Sequence, residues 1–135
     1  MNADKEFLNR EKEQIKKTLS MIEELLSRDQ LSCFEVISLG TLLHNVYTGI
    51  EHILRFKLEK RGHKIEKKAT WHKDLLLKAR DEELLNDSQF EGFGKLLAFR
   101  HLYIHGYSHT LDEKRVIELA NPIPQLLYEF IKEII

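Results

Sequence analysis

The stretch Phe99-Arg100-His101-Leu102-Tyr103-Ile104-His105-Gly106-Tyr107 gathers a permanent cation, titratable imidazole and polar aromatic side chains at one place in the chain. An RNA strand can be cut without a metal if a base removes the proton from a ribose 2′-hydroxyl, which then attacks the neighbouring phosphorus. Imidazole suits that task because its unperturbed pKa lies near neutrality. The phosphate gains charge in the transition state, and a guanidinium can hold it with two parallel hydrogen bonds. Arg100 and His105 are therefore a sufficient minimal set for this reaction. Tyr103 and His101 are possible supporting residues, with Tyr103 more suited to burial than to stacking on a base.

Spacing limits how the pair can act. Residues five apart on a regular helix are separated by about 140° around its axis. Either the helix unwinds before Gly106, or the site is completed by the same motif from a second subunit. A two-fold dimer would bring two Arg and two His to one cleft. The dimer is the expectation. The plainer role for His105 alone is a cation at a helix C-terminus, favoured by the helix dipole; that leaves Arg100 and Tyr107 without a purpose. His101, His105 and His109 also recur at four-residue intervals, but Gly106 interrupts the helix and no carboxylate accompanies them. No metal site and no cofactor are expected.

The elements that must position these residues are helical. Phe7, Ile15, Leu19, Ile22 and Leu26 recur at helical spacing, predicting a first helix from about Asp4 to Ser27. Ser32-Cys33-Phe34-Glu35 reads as a capping box. It opens a second helix whose stripe runs from Leu39 to Leu54 and which ends near Lys60, with Gly62 as the stop. On that helix His44, Tyr47 and Glu51 fall near one face, and Glu51 is a candidate to orient Arg100 or His105. An ordinary solvated or paired carboxylate is the equal alternative.

Residues 61–70 lack periodicity and read as an exposed basic connection, able to hold RNA or simply solvated. A third helix is expected from Trp71 to about Leu85. Ser88-Gln89-Phe90-Glu91 is a second box, opening a fourth helix that ends near His105. Thr110-Leu111-Asp112-Glu113 is a third, opening a final stretch that Pro122 and Pro124 must kink or split. Trp71 and Cys33 are expected to pack inside. The chain is thus predicted to be a single all-α domain over residues 1–135, an up-and-down bundle of four to five helices.

Composition agrees. The 135 residues are 42% hydrophobic and 32% charged, with 6 Gly and 2 Pro, which suits amphipathic helices. A formal net charge of -1 excludes a general polycation, so contact with nucleic acid must use a local basic surface or one made by assembly. One cysteine excludes an internal disulfide framework. The charged N-terminus lacks a secretion signal's apolar core, and no apolar run is long enough to span a bilayer. A cytoplasmic location without membrane association is expected.

The pattern Arg100, four residues, His105, one residue, Tyr107 resembles the hallmark of the HEPN superfamily, and within it the HepT-like ribonuclease toxins. The residue after the Arg is typically polar there, and His101 is compatible. Leu43-His44-Asn45-Val46-Tyr47-Thr48-Gly49-Ile50-Glu51 and Trp71-His72-Lys73-Asp74-Leu75-Leu76 look like the matching helices of one HepT-like branch. The resemblance covers the chain from about Leu31 onward. It implies a HEPN-like bundle, metal-independent endoribonuclease activity on RNA, and a homodimer with the motif lining the intersubunit cleft. It also implies a toxin–antitoxin pair of the HepT/MntA type, whose nucleotidyltransferase-fold (MntA-like) antitoxin silences the toxin by adenylylation (AMPylation) of the motif tyrosine, here Tyr107. The alternative is a non-catalytic helical partner subunit of a nucleotidyltransferase that binds a nucleotide or substrate in the same cleft. Many such relatives lack the Arg–His pair, so its presence favours the enzyme.

Overall fold

In the computed structural model, residues 2–105 and 112–134 are described, excepting the side chains at positions 2, 102, 104 and 105. Among them the chain forms six helices: α1 (Asn2–Leu26), α2 (Cys33–Lys60), α3 (Trp71–Asp81), α4 (Asp87–His105), α5 (Glu113–Ala120) and α6 (Ile123–Ile134). The expected four-to-five-helix bundle is present, its last helix split in two. Pro122 and Pro124 cause the split. The former precedes α6 and accepts from the Leu126 N–H at 3.2 Å, and the latter sits in the first turn, where a missing N–H costs nothing.

Helix α2 is the central element. It packs on α1 along its length and also meets α3, α4 and α5. Val36, Leu39, Leu43, Val46, Ile50, Ile53, Leu54 and Leu58 are buried along it, and Ile15, Leu19 and Ile22 of α1 close over one side. Phe93, Leu96 and Phe99 of α4 and Leu127 and Phe130 of α6 fill the other, with the Phe93 and Phe130 rings edge to face at 5.6 Å.

The ends of α2 follow local sequence chemistry. Ser32 Oγ accepts from the Glu35 N–H at 3.1 Å, and the Glu35 carboxylate accepts from the Ser32 N–H at 2.8 Å. At the other end Gly62 takes φ 89°, its N–H bonding Glu59 O at 3.0 Å and the His63 N–H bonding Leu58 O at 3.0 Å. That is a Schellman closure, and it needs the left-handed residue that glycine supplies freely.

Three boundaries differ from expectation. Helix α3 stops at Asp81, four residues before Leu85, because Glu83 adopts φ 60° and the same closure forms around it. The Leu84 N–H bonds Ala79 O at 2.8 Å and the Glu83 N–H bonds Arg80 O at 3.0 Å. A glutamate gives no sequence signal for such a stop. Helix α4 is capped by Asn86 and Gln89, not by Ser88 and Glu91. The Gln89 N–H donates to Asn86 Oδ1 at 2.7 Å, and the Asn86 N–H donates to Gln89 Oε1 at 2.9 Å. Both pairs have the capping-box spacing, and the true one begins two residues earlier. Helix α5 is capped by Asp112, whose side chain accepts from the Lys114 N–H at 3.2 Å; Thr110 lies outside the described residues.

Cys33 is exposed rather than packed, because it occupies the first position of α2, before the buried stripe begins. Trp71 is half-buried against the core, as expected. No helix among the described residues is long and apolar enough to cross a membrane.

Candidate functional site

Thr41, His44, Tyr47 and Glu51 lie on one side of α2 at spacings of three and four, so a polar line runs beside its apolar stripe. Glu51 falls among buried positions, with 6% of its surface accessible. A carboxylate so placed needs a partner. His72, in the first turn of α3, supplies it: Nδ1 approaches Glu51 Oε2 at 2.6 Å. An ionised carboxylate only accepts, so the imidazole nitrogen donates. The His72 ring is backed by the Trp71 indole, with centroids 3.9 Å apart.

The other end of the line meets α4. Thr41 Oγ1 and the Tyr103 hydroxyl are 2.8 Å apart and share a hydrogen bond. The His44 and Tyr103 rings lie 5.3 Å apart at 33°. Tyr103 is half-buried, as its helix position suggested. This pairing sets α2 and α4 side by side with His44 level with Arg100. The Arg100 charge is felt by both His44 and Tyr47. Burial chiefly, then Arg100, lowers the His44 pKa, and Glu51 opposes them. Burial first, then the Glu51 carboxylate, raises that of Tyr47 and keeps its hydroxyl protonated, although no geometrically complete hydrogen bond forms there. His44 Nδ1 is likewise buried without a partner among the described residues.

Arg100 is half-buried, and no described carboxylate lies within the 4.0 Å of an ion pair. A guanidinium held in a partly enclosed polar surrounding without a protein anion is suited to receive one from outside. Helix α4 stays helical through His105, so the positions of Arg100 and His105 remain on different sides of one axis. The His105 side chain and Tyr107 lie outside the described residues, as does His109. His101 is exposed on α4. Among the described residues no group of three or more His, Cys, Asp or Glu is arranged to hold a metal ion.

Sequence reasoning selected Glu51, yet the structure pairs it with His72 and not with Arg100. The signal for a buried partner was present: Tyr47, Glu51, Leu54 and Leu58 follow a helical repeat of buried positions, and one of the four is charged. Thr41 and His72 were missed as members of the cluster because each joins it through tertiary contact. Part of the basic stretch from Arg55 to Lys68 is paired locally. Arg55 meets Glu59 at 2.8 Å, Lys60 meets Asp4 at 2.9 Å, Arg61 meets Glu82 at 3.8 Å and Lys68 meets Glu66 at 3.1 Å.

An all-α bundle with a polar line on its central helix and an arginine facing that line defines a HEPN-like helical protein. The chain belongs to the HepT-like protein family, whose model matches residues 38–135, from early α2 to the C-terminus. YutE from Bacillus subtilis, a cytosolic protein of unknown function, shares the fold, with a TM-score of 0.67 over 90% of this chain and 86% of that one at 19% identity. No curated protein sequence matches the chain.

Proposed function

We propose that this protein is an endoribonuclease toxin that cleaves RNA without a metal ion, acting as a homodimer. The observation that carries the reading is Arg100, which sits half-buried beside a polar line with no carboxylate partner among the described residues. In the reaction His105 takes the 2′-hydroxyl proton or otherwise assists its transfer. The 2′-oxygen attacks phosphorus, and Arg100 binds the oxygens on which charge accumulates. Because α4 is regular from Arg100 to His105, one helix does not place the two side by side. A second copy, related by a two-fold axis, brings an arginine of one protomer toward a histidine of the other.

Family membership supports a partner of nucleotidyltransferase fold acting as antitoxin. Adenylylation of Tyr107, two residues from His105, would put a phosphate-bearing group where substrate phosphate should bind and let it pair with Arg100. The test is incubation of the purified protein with total RNA. Wild type is expected to cleave, in EDTA as well, whereas Arg100→Ala and His105→Ala lose cleavage and the ability to arrest growth while keeping their helical circular dichroism. Equal cleavage by wild type and Arg100→Ala would overturn the reading. Tyr107→Phe should stay toxic when the antitoxin is co-expressed; full rescue would remove the modification from the scheme.

A further inference from the structure

The strongest polar contact in the cluster involves a residue with no part in the Arg100–His105 scheme. His72 presents Nδ1 to Glu51 at 2.6 Å, so Nε2 points away from the carboxylate, and 21% of the side chain is open to solvent. A buried carboxylate behind an imidazole fixes the orientation of the ring and leaves Nε2 as the nitrogen that can hand on a proton.

Its position along the bundle can be traced. Helices α3 and α4 are joined by a five-residue corner, 82–86, and are therefore antiparallel neighbours. The Arg80 guanidinium lies over the Phe90 ring at 4.3 Å near that corner. Eight residues back along α3 from Arg80 is His72, and eight forward along α4 from Phe90 is Ala98, about 3 Å of rise short of Arg100. Glu51, which holds His72, acts electrostatically on His44 and Tyr47, the same two side chains that feel Arg100. His72 and Arg100 therefore flank one polar line.

We propose that His72, oriented by Glu51, is a second proton-transfer residue of the RNA-cleaving site and protonates the departing 5′-oxygen. This rests on the nuclease reading above. As the 2′-oxygen loses its proton to the base and bonds to phosphorus, the bond from phosphorus to the 5′-oxygen breaks, and that oxygen takes the proton from His72 Nε2. The products are a 2′,3′-cyclic phosphate and a 5′-hydroxyl. One proton is taken up and one released, so no co-reactant is needed. The titratable and charged groups on the elements around His72 are Glu51, Tyr47, His44 and Arg55 on α2, Lys73 and Asp74 on α3, Arg100 and Tyr103 on α4, and Lys67 and Lys68 in the preceding connection. Glu51 is the one in contact.

The test compares wild type, His72→Gln and Glu51→Gln on an RNA oligonucleotide carrying a cleavage site mapped for the wild type, and on the same oligonucleotide with sulfur replacing the scissile 5′-oxygen. A thiolate leaves without being protonated. His72→Gln is expected to lose about 100-fold or more on the oxygen substrate and to recover most of that loss on the sulfur one. Glu51→Gln should show a smaller loss of the same kind, also recovered on the sulfur substrate, because the imidazole has lost the carboxylate that orients it. Equal losses on both substrates would reduce His72 to a structural role, and no loss would remove it from the reaction; either overturns the inference alone. Should His72→Gln fail to fold, Glu51→Gln decides, and a loss that is equal on the two substrates overturns the inference. Wild type cleaving no better than Arg100→Ala would overturn the nuclease reading and this inference with it.

Discussion

Gly49 and Gly94 both sit inside helices, and the structure predicts opposite outcomes for the same substitution. Replacing a mid-helix glycine by alanine gains about 0.8–1.0 kcal/mol from helix propensity alone. At Gly94 a new Cβ meets nothing within 4 Å, so that gain should appear in full. At Gly49 the same atom would lie 2.9 Å from Ile15 Cγ1 and 3.2 Å from its Cδ1. Ile15 is 1% exposed, so its branched side chain has no open space to turn into. Relief must come from moving α1 away from α2, and overpacking of that kind costs about 1–3 kcal/mol. After the propensity gain, Gly49→Ala should be destabilised by about 0–2 kcal/mol. It should melt below Gly94→Ala by about 1–3 kcal/mol in stability, at about 4 °C per kcal/mol for a chain of this size. Calorimetric melts of the two variants and wild type measure this directly. If Gly49→Ala melts level with Gly94→Ala, the α1–α2 contact is looser than described and the reasoning fails.

Two further outcomes follow from the site and the caps. The folded His44 has a lowered pKa, chiefly from burial, so the unfolded chain binds more protons there as pH drops. The associated stability is complete above the unfolded value of about 6.5 and is lost as pH falls through the folded one. His44→Gln should therefore flatten the decline in melting temperature below about pH 6.5; parallel curves for variant and wild type would refute it. Ser32→Ala removes one half of the α2 capping box and should cost about 1 kcal/mol, seen as a fall in the denaturant midpoint with unchanged slope.

Signals carried within a few consecutive residues were legible in the sequence. Ser32 and Glu35 specify the start of α2 by reaching each other's backbone, and Gly62 specifies its end by tolerating a left-handed turn. Glu83 makes the same turn without announcing it, which is why α3 ends earlier than its pattern predicts. Two capping-box spacings overlap between Asn86 and Glu91, and only the folded chain selects Asn86 with Gln89. The site divides along the same line. That Glu51 is special follows from a charge at a buried helical position. That its partner is His72 depends on where α3 docks, twenty-one residues along the chain.

The corner between α3 and α4 is closed at both ends by short hydrogen bonds, through Glu83 and Leu84 on one side and Asn86 and Gln89 on the other. Helix α3 extends from it as a lever arm. From Asp81 to His72 the arm is about 14 Å long, so a 5° swing at the pivot moves its tip by about 1.2 Å. That displacement would stretch the 2.6 Å link between His72 and Glu51 beyond hydrogen-bonding range. Precision at the imidazole is thus set at the far end of the helix, and changes at the exposed corner residues Glu83 and Asn86 should be felt there before they are felt in the core.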